Sequence, residues 1–318
     1  MTICGICDGD ISKTYVVKEM LIGYRESFEY FKCGVCGCLQ IAEIPTNLAK
    51  YYPNNYYSLQ IKKQKKSRFL RDYIRKSVSL YNILGKGVIG WFLALFKSPD
   101  PLHLVYRRVG LKASDKLLDV GGGAGNHVLS LFHIGFKSVM SVDPFISKDV
   151  FDGDVLIAKK SEFFDIQGQY DLITFHHSLE HMPSQAKILE KAAELIGQGG
   201  RILIRIPTVT STAWAEYKVN WVNLDAPRHF YLHSHSSIKL LAKKVGLKVL
   251  DLWNDSVSMQ FWGSEQYMRD IPLSDPRSYS QDKNTPIFSP VQIKDYQRTV
   301  IALNKQGKGD WICVVLGK

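Results

Sequence analysis

The 318-residue sequence lacks any long hydrophobic run. Its longest apolar stretch, Val88–Phe96, is far shorter than the roughly 20 residues that a membrane-spanning helix needs. The N-terminus MTICGICDGD also lacks the basic segment and apolar run of a secretory signal peptide. These absences predict a cytoplasmic protein whose cysteines are reduced.

Acidic residues are scarce in one segment. Residues 60–76 contain eight Lys or Arg and one Asp, so they carry seven of the chain's eleven net positive charges. The remainder is only mildly basic, which argues against a general nucleic-acid-binding surface and favours a local basic patch. The apolar stretch Val88–Phe96 follows this basic segment, and the combined pattern over residues 60–96 is typical of two arrangements. These residues form a peripheral membrane contact at the inner membrane face, or a solvated helix followed by one that packs on the core.

Cysteine is nearly absent after residue 38: only Cys313 follows, in an apolar strand where we expect it to be core. The other five include two C-x2-C pairs separated by 25 residues. Two residues between thiolates place both sulfurs on one turn, so two such pairs predict a structural, tetrahedral Zn²⁺ site, with disulfides as the competing interpretation. Cys38 is a spare that could replace Cys36, although the two matched C-x2-C pairs disfavour this. The predicted metal ligands are Cys4, Cys7, Cys33 and Cys36.

Short strands are expected between the two cysteine pairs, at Thr14–Val17 and Glu29–Lys32, as in a zinc ribbon. The sequence therefore predicts a zinc-ribbon-like domain over residues 1–45. A basic helical connector over residues 46–99 would join it to the rest of the chain.

The glycine pattern G-x-G-x-x-G of dinucleotide sites is also missing its last glycine, because Asn126 occupies that position. The pattern present is Asp119-x-Gly121-x-Gly123-x-Gly125, between an apolar strand and a predicted helix, and a second strand then ends at Asp143. Strand, glycine turn, helix, strand and acid form the first half of a doubly wound α/β sheet that binds a nucleotide.

The remaining segments continue this order. YDLITFHHSLEH (170–181), RILIRIP (201–207), VGLKVLDL (245–252) and DWICVVL (310–316) resemble later strands and motifs of class I S-adenosylmethionine-dependent methyltransferases. The resemblance covers residues 100–318. It implies a seven-stranded, Rossmann-like sheet whose last two strands are antiparallel. An insert at residues 254–309 would separate those strands and close over the acceptor or contact a second subunit.

The resemblance also implies where S-adenosylmethionine binds. The turn from Gly121 to Gly125 would hold the methionine end, Asp143 the ribose, and Asp119 the ammonium group or the loop itself. Glu162 would lie beside the adenine, or is simply a solvated acid. One histidine of the adjacent pair 176 and 177 would face the methyl-transfer cleft. The cofactor-binding residues implied are Asp119, Gly121, Gly123, Gly125, Asp143, Glu162 and His176.

The segment NLDAPRHFYLHSHS (223–236) follows the predicted fifth strand of this fold and contains three of nine histidines. It partly resembles the acceptor segment of sugar C-methyltransferases that carry an N-terminal Cys4 zinc domain. It departs from them at Ala226 and Arg228, where they have Tyr and Glu. It is more similar to zinc-headed methyltransferases of polysaccharide gene clusters, with Asn-x-Asp-x-Pro-Arg-His. The resemblance implies that His229 removes the acceptor proton, while Asp225 or Arg228 orients it or binds a sugar group.

Three other histidines have competing interpretations. His181 contacts substrate or takes a catalytic role, or only supports packing. His233 and His235 precede Ser236 and Ser237 at a predicted helix start, where Ser residues cap the helix. A metal site formed by His229, His233 and His235 is the less favoured alternative.

The function predicted is methyl transfer from S-adenosylmethionine to a nucleotide-linked or glycan-bound sugar, with an oxygen as the first choice of acceptor atom. N- or C-methylation of a deoxysugar or another small metabolite is an alternative. A second alternative is an RNA methyltransferase that holds RNA with its zinc ribbon and Lys-rich segment, although nucleic acid is the less favoured partner. A third is a non-catalytic binding module that keeps the fold.

Overall fold

The computed structural model describes residues 3–52, 57–61, 69–97 and 99–318. The chain divides into two compact units. The cysteine unit comprises residues 1–53, 179–187 and 205–314, and the glycine-loop unit comprises residues 54–178, 188–204 and 315–318. Residues 62–68 of the predicted basic connector lie outside the described part of the chain.

Twelve strands lie in the described residues. They are β1 (Ile11–Lys18), β2 (Ser27–Cys33), β3 (Leu39–Ile41), β4 (Leu117–Val120), β5 (Val139–Val142), β6 (Val150–Asp152), β7 (Val155–Lys159), β8 (Tyr170–His176), β9 (Ile196–Pro207), β10 (Tyr231–Leu232), β11 (Lys248–Asn254) and β12 (Trp311–Gly317).

Nine α-helices accompany these strands in the same part of the chain. They are α1 (Phe69–Leu84), α2 (Val88–Ala94), α3 (Pro101–Val109), α4 (Asn126–Ile134), α5 (Gln185–Leu195), α6 (Thr212–Tyr217), α7 (His235–Lys244), α8 (Met259–Met268) and α9 (Pro290–Lys305). Among the residues described, none of the helices is both long and apolar enough to cross a bilayer.

The larger sheet has the strand order β11-β12-β9-β8-β4-β5-β7-β6. Strand β4 pairs in parallel with β5 and β8, and β5 pairs in parallel with β7, as the strand–helix alternation predicts. The predicted count of seven strands is wrong for the described residues, because β6 adds an eighth. This three-residue strand forms an antiparallel hairpin with β7 at the sheet edge, and so the sheet is mixed.

The smaller sheet has the order β1-β2-β3-β10. The hairpin β1–β2 contains both strands predicted between the cysteine pairs. The fourth strand comes from the histidine-rich segment, since Tyr231 and Leu232 pair with Gln40 and Leu39 of β3. The first 45 residues therefore share a sheet with a segment almost 200 positions later. The predicted boundaries of a separate zinc-ribbon domain stay a prediction.

Two local signals position the elements around the candidate site. Asp100 caps α3 by accepting the Leu102 N–H at 2.9 Å, and Pro101 occupies the first helical turn. Ser234 caps α7 in a reciprocal capping box with Ser237, as the serine-rich segment predicts. Cys313 is fully buried in β12, as expected for a core residue.

Candidate active site

The glycine-rich turn connects β4 to α4 in the glycine-loop unit. The Asp143 carboxylate, just past the end of β5, accepts the N–H of Gly123 at 2.9 Å and that of Phe145 at 2.8 Å. Burial raises the pKa of Asp143. One carboxylate therefore joins the ends of two parallel strands, where ligands bind in such sheets.

Asp119 lies beneath the same turn. It is buried, and it accepts the Thr174 hydroxyl at 2.7 Å. Burial raises its pKa to about 7. A Cβ added at Gly122 would lie 2.3 Å from the Asp119 carboxylate, so only glycine fits there. Sequence reasoning assigned no role to Gly122, although it lies within the glycine run.

A segment before α1 lies against this turn. The Ala124 N–H donates to the Ser58 carbonyl at 2.8 Å, and the Asn126 side-chain amide donates to the Gln60 carbonyl at 2.7 Å. A Cβ at Gly123 would lie 2.1 Å from the Ser58 oxygen. The sequence gave no signal for this contact, because the interaction uses backbone carbonyls that any residue carries.

His176 takes part in a cluster that sequence reasoning missed. The Tyr106 hydroxyl bonds His176 Nε2 at 2.9 Å and also bonds His127 Nε2. A hydroxyl donates one hydrogen, so one imidazole must donate to it and the other must accept from it. His127 follows the glycine-rich turn and His176 ends β8, so the cluster lies at the carboxyl end of the parallel strands.

These residues fit S-adenosylmethionine. Asp143 offers a carboxylate for the two ribose hydroxyls, and its N–H partners hold it in place. Gly121, Gly123 and Gly125 all have positive φ, a conformation that favours glycine, and the absence of Cβ atoms there lets a ligand approach the backbone closely. Glu162 is exposed and precedes a short 3-10 turn at Phe163–Asp165, so its role beside the adenine stays a prediction.

The histidine-rich segment lies in the cysteine unit, where Arg228 organises it. Its fully buried guanidinium bonds both carboxylate oxygens of Asp225, one of them at 3.0 Å from Nε. It also donates to the Tyr51 carbonyl at 2.9 Å and lies 3.5 Å from Glu19. Glu19 in turn accepts three backbone N–H groups, from residues 22–24. Arg228 therefore holds Asp225 in place, and the predicted roles of Asp225 and Arg228 toward His229 or the acceptor stay a prediction.

The tautomer of His229 follows from its contacts. Its Nδ1 lies 2.8 Å from the Asn223 carbonyl, which can only accept, so Nδ1 carries the hydrogen. Burial lowers the pKa of His229, which favours the neutral ring with its lone pair on Nε2. That nitrogen lies 3.7 Å from Asp225 Oδ2 and 4.0 Å from Glu180 Oε1. The side chain therefore has the form that a general base requires.

His181 and Glu180 adjoin His229. The two imidazoles form an edge-to-face contact with centroids 4.6 Å apart. His181 Nδ1 bonds the Arg228 carbonyl at 2.9 Å, and burial lowers its pKa to about 3. Glu180 is fully buried, and burial raises its pKa to about 8. Sequence reasoning passed over Glu180, although it precedes His181 in the chain.

The other two histidines lie apart from this group. His233 is buried with its ring nitrogens bonded to Ser237 at 2.9 Å and Gln185 at 2.6 Å. His235 is the first residue of α7. His235 therefore begins the helix and His233 immediately precedes its Ser234 cap, so both lie at the predicted helix entrance.

Two groups in the described residues bring potential metal-binding atoms within 4.8 Å of one another. The first joins the four cysteines of the two C-x2-C pairs. Cys38 is buried outside that group, and its thiol contacts the Leu39 carbonyl at 3.7 Å. The second group, Glu180, His181 and His229, differs from the histidine trio considered from sequence.

The cysteine cluster supports the histidine-rich segment within the same unit. The Tyr30 hydroxyl, on β2, donates to the His229 carbonyl at 2.8 Å. Ser234 donates to the Cys36 carbonyl. The Gln40 side chain, on β3 opposite Tyr231, contacts the Cys4 sulfur at 3.0 Å. The position of His229 therefore depends on the strands that carry the cysteines.

A family profile described as "Methyltransferase domain" matches residues 97–252. No curated protein shows a significant match to the sequence. Similar solved structures include a SAM-dependent methyltransferase from Archaeoglobus fulgidus, 15% identical, which covers 72% of this chain and 99% of that chain with a TM-score of 0.42. Phosphoethanolamine N-methyltransferase 2 from Haemonchus contortus is 17% identical and covers 77% of this chain and 57% of that chain, with a TM-score of 0.41.

The profile covers the glycine-rich turn, the carboxylates Asp119 and Asp143, and the histidine-rich segment through α7. It agrees with the parallel strands β4, β5, β7 and β8, and with the fit of the turn to the cofactor. Residues 97–252 thus form an α/β methyltransferase domain, and the protein is an S-adenosylmethionine-dependent methyltransferase.

Proposed function

We propose that the enzyme methylates a hydroxyl group of a nucleotide-linked or glycan-bound sugar, in the synthesis of a surface polysaccharide or a related glycan. The observation that carries this proposal is the buried His229, whose Nδ1 is held by the Asn223 carbonyl and whose Nε2 lies 3.7 Å from Asp225 and 4.0 Å from Glu180. The resemblance of the DAPRH segment to polysaccharide-cluster methyltransferases supplies the substrate class.

The proposed roles are of two kinds, donor binding and proton removal. When bound, the cofactor would supply a methyl group activated by its sulfonium, and the sulfur would leave as a neutral thioether when its bond to that methyl group breaks. Asp143, Asp119 and the turn Gly121–Gly125 bind that donor, with Glu162 and His176 as further contacts. His229 Nε2 takes the hydroxyl proton as the acceptor oxygen forms its new bond to carbon. Orientation of the acceptor supplies the remaining rate enhancement.

The carboxylates beside His229 support this role. Protonation creates an imidazolium, and the ionised Asp225 at 3.7 Å stabilises that charge. Burial would raise the pKa of Asp225, but the Arg228 guanidinium lowers it to about 2, so this carboxylate is charged at neutral pH. His181 packs against His229, and the edge-to-face contact between the two imidazole rings positions the His229 ring.

Sugars suit this arrangement because their hydroxyls donate hydrogen bonds to several acceptors at once. The ionised Asp225 carboxylate and the lone pair of His229 are such acceptors, and Glu180, which burial keeps protonated at neutral pH, offers an O–H donor and an acceptor oxygen beside them. N- or C-methylation of a deoxysugar is the second choice, since the same base would serve it. An RNA acceptor is disfavoured, because the basic charge concentrates in residues 62–97 rather than over the chain.

We also propose a structural Zn²⁺ bound by Cys4, Cys7, Cys33 and Cys36. Four thiolates leave no open coordination position, so this ion stabilises the fold rather than the reaction. Elemental analysis of the purified enzyme should find one zinc per chain, lost in Cys33→Ser and retained in Cys38→Ser. A second equivalent that Glu180→Gln removes would instead assign an ion to Glu180, His181 and His229. Absence of zinc from the parent would refute the structural site.

The function is tested by transfer of a labelled methyl group from the cofactor into glycan and nucleotide-sugar extracts of the host. His229→Gln should lower turnover by a factor of about 10²–10⁴, the usual contribution of a general base. His235→Ala, in the same segment, should leave turnover within about twofold.

Calorimetry of cofactor binding separates the two steps of the proposal. His229→Gln should bind the cofactor as the parent does, because the donor site belongs to the glycine-loop unit. Unimpaired turnover in this variant would remove His229 as the base. Labelling of RNA but not of sugars, with RNA affinity that falls steeply as salt rises, would favour the RNA alternative.

A further inference from the structure

Helix α2 of the glycine-loop unit exposes an apolar surface. Six of the nine residues from 88 to 96 are large apolar side chains that are exposed, and their accessibilities range from 49% at Trp91 to 80% at Val88. Single exposed apolar residues are ordinary, but a contiguous patch marks a binding surface. The patch consists of Val88, Ile89, Trp91, Phe92, Leu95 and Phe96.

The packing of α2 explains why these side chains face outward. Gly90 is the one buried residue of α2, and a Cβ there would lie 2.3 Å from the Ser77 carbonyl oxygen of α1. The two helices therefore approach closely at this glycine. The large side chains on either side of Gly90 stay exposed. The alternative that this segment packs on the core is wrong for these six side chains.

The segment of sequence that contains the apolar patch is strongly basic. Residues 62–97 contain ten Lys or Arg and one Asp, so they carry nine of the chain's eleven net positive charges. Among the described residues, Arg71, Arg75 and Lys76 on α1 are exposed, as are Lys86 and Lys97 at the two ends of the α2 segment. Segments that insert shallowly into anionic bilayers typically combine Lys and Arg with Trp and Phe.

We infer that the hairpin α1–α2 binds the surface of an anionic phospholipid bilayer. The apolar side chains of α2 insert at the level of the lipid headgroups, and the surrounding Lys and Arg contact lipid phosphates. A second copy of the chain is a poorer occupant, because two such surfaces would bring their concentrated positive charges together. This inference does not require the sugar substrate, but a lipid-linked glycan acceptor would be presented at such a surface.

Sedimentation of the full-length enzyme with vesicles tests the inference. The enzyme should bind vesicles of phosphatidylcholine with one quarter phosphatidylglycerol at least about tenfold more tightly than pure phosphatidylcholine. Each basic residue near the surface contributes about fivefold, so K86E with K97E should weaken the anionic binding at least about 25-fold. Raising the salt concentration should also weaken it, because salt screens exposed charges.

A matched pair of variants isolates the apolar patch. The double variant Trp91→Ser with Phe92→Ser should lose at least about tenfold in vesicle binding. Phe151→Ser removes an aromatic ring that is 58% exposed elsewhere in the same unit, close to the 55% of Phe92, and should change binding by less than about twofold. Equal loss in both variants, or no binding to anionic vesicles by the parent, would overturn the inference.

Two further measurements separate the other occupants and the catalytic proposal. A parent dimer that becomes monomeric in the Trp91/Phe92 variant, without vesicle binding, would assign the patch to a second copy. Tight RNA binding without vesicle binding would assign the charge to nucleic acid. Methyl transfer to a water-soluble sugar should be unchanged in the variant. Vesicle binding needs neither donor nor acceptor, so its outcome is independent of the sugar assignment.

Discussion

A largely buried aspartate lies against the glycine-rich turn and another lies in the histidine-rich segment, but the two carboxylates are held in different ways. Asp143 accepts N–H groups from Gly123 and Phe145, and burial raises its pKa. Asp225 is paired with Arg228, which lowers its pKa to about 2 against the effect of burial. Among the described residues, Asp143 has only uncharged N–H donors as partners and keeps lone pairs for the two ribose hydroxyls, whereas Asp225 is charged and already paired with a cation.

The two regions also differ in how far along the chain their partners lie. The contacts of Asp143 come from within about one strand–helix–strand repeat. Arg228 reaches Tyr51 and Glu19, which lie 177 and 209 positions away. A cofactor site can therefore be built from a local motif, while this acceptor segment depends on tertiary pairing. Four perturbations test that contrast.

The largest expected effect comes from removing the buried cation. Arg228→Met would leave Glu19 and Asp225 buried without their partner, so it should lower the free energy of unfolding by about 3–5 kcal/mol. The control is Arg277→Met, whose partner Asp275 lies two positions away and whose side chain is 64% exposed. That change should leave stability in urea-induced unfolding nearly unchanged, because an exposed ion pair contributes little. Similar losses in the two variants would contradict the buried network.

A substitution in the cofactor site should change the affinity for the cofactor rather than the stability of the fold. Asp143→Asn removes a charged acceptor for the ribose hydroxyls, an interaction that contributes about 1.5–3 kcal/mol. Calorimetric affinity for the cofactor should therefore fall by about 10- to 100-fold. Asp154→Asn, exposed in the β6–β7 turn, is the control and should bind as the parent does. Unchanged affinity in Asp143→Asn would place the ribose elsewhere.

A pH series should reveal the buried Glu180. Its pKa is raised by burial from 4.5 to about 8, so between these values the folded protein binds a proton that the unfolded chain has released. For this group alone, stability falls as pH rises, by up to about 1.4 kcal/mol per pH unit.

Glu180→Gln should abolish that component, so the variant should gain stability relative to the parent from pH 5 to pH 8. Urea midpoints across this range provide the measurement. Glu190→Gln, exposed on α5, should give a pH-independent difference. A parallel pair of curves for parent and Glu180→Gln would show that Glu180 ionises normally.

The smallest effect should come from the helix cap that joins the histidine-rich segment to the cysteines. Ser234→Ala should cost about 1 kcal/mol, as should Ser289→Ala, which removes the equivalent capping box of α9. Only Ser234 also donates to the Cys36 carbonyl. Methyl transfer and metal retention should therefore decline in Ser234→Ala alone. Equal activity in both variants would mean that the cap acts only on its helix.

Sequence reasoning performed best where structure is local. The strands β4, β5 and β8, the turn at Gly121–Gly125 and the cap at Ser234 follow from apolar runs, glycine and hydrogen-bonding serine. It miscounted the sheet because β6 has only three residues and pairs only with its hairpin neighbour β7. It missed Gly122 because its requirement comes from the Asp119 and Ser141 side chains packed beneath it.

The candidate site was only partly predictable. His229, Asp225 and Arg228 were identified through their segment, and His181 through the strand before it. Glu180 and Glu19 were not identified, because their neighbours in the sequence do not distinguish them from acidic residues on the surface. Tyr106 and His127 were missed for the same reason. Their roles come from partners on other elements.

By itself, the sequence determined an α/β sheet with a glycine-rich turn, two cysteine pairs and a concentrated basic segment, since each depends on neighbouring residues. Tertiary structure alone decided that β10 joins the cysteine-bearing sheet and that Glu19 meets Arg228. It also decided that the α2 side chains stay exposed. Burial and ion pairing between distant segments fix ionisation and exposure, and neither is encoded in local spacing.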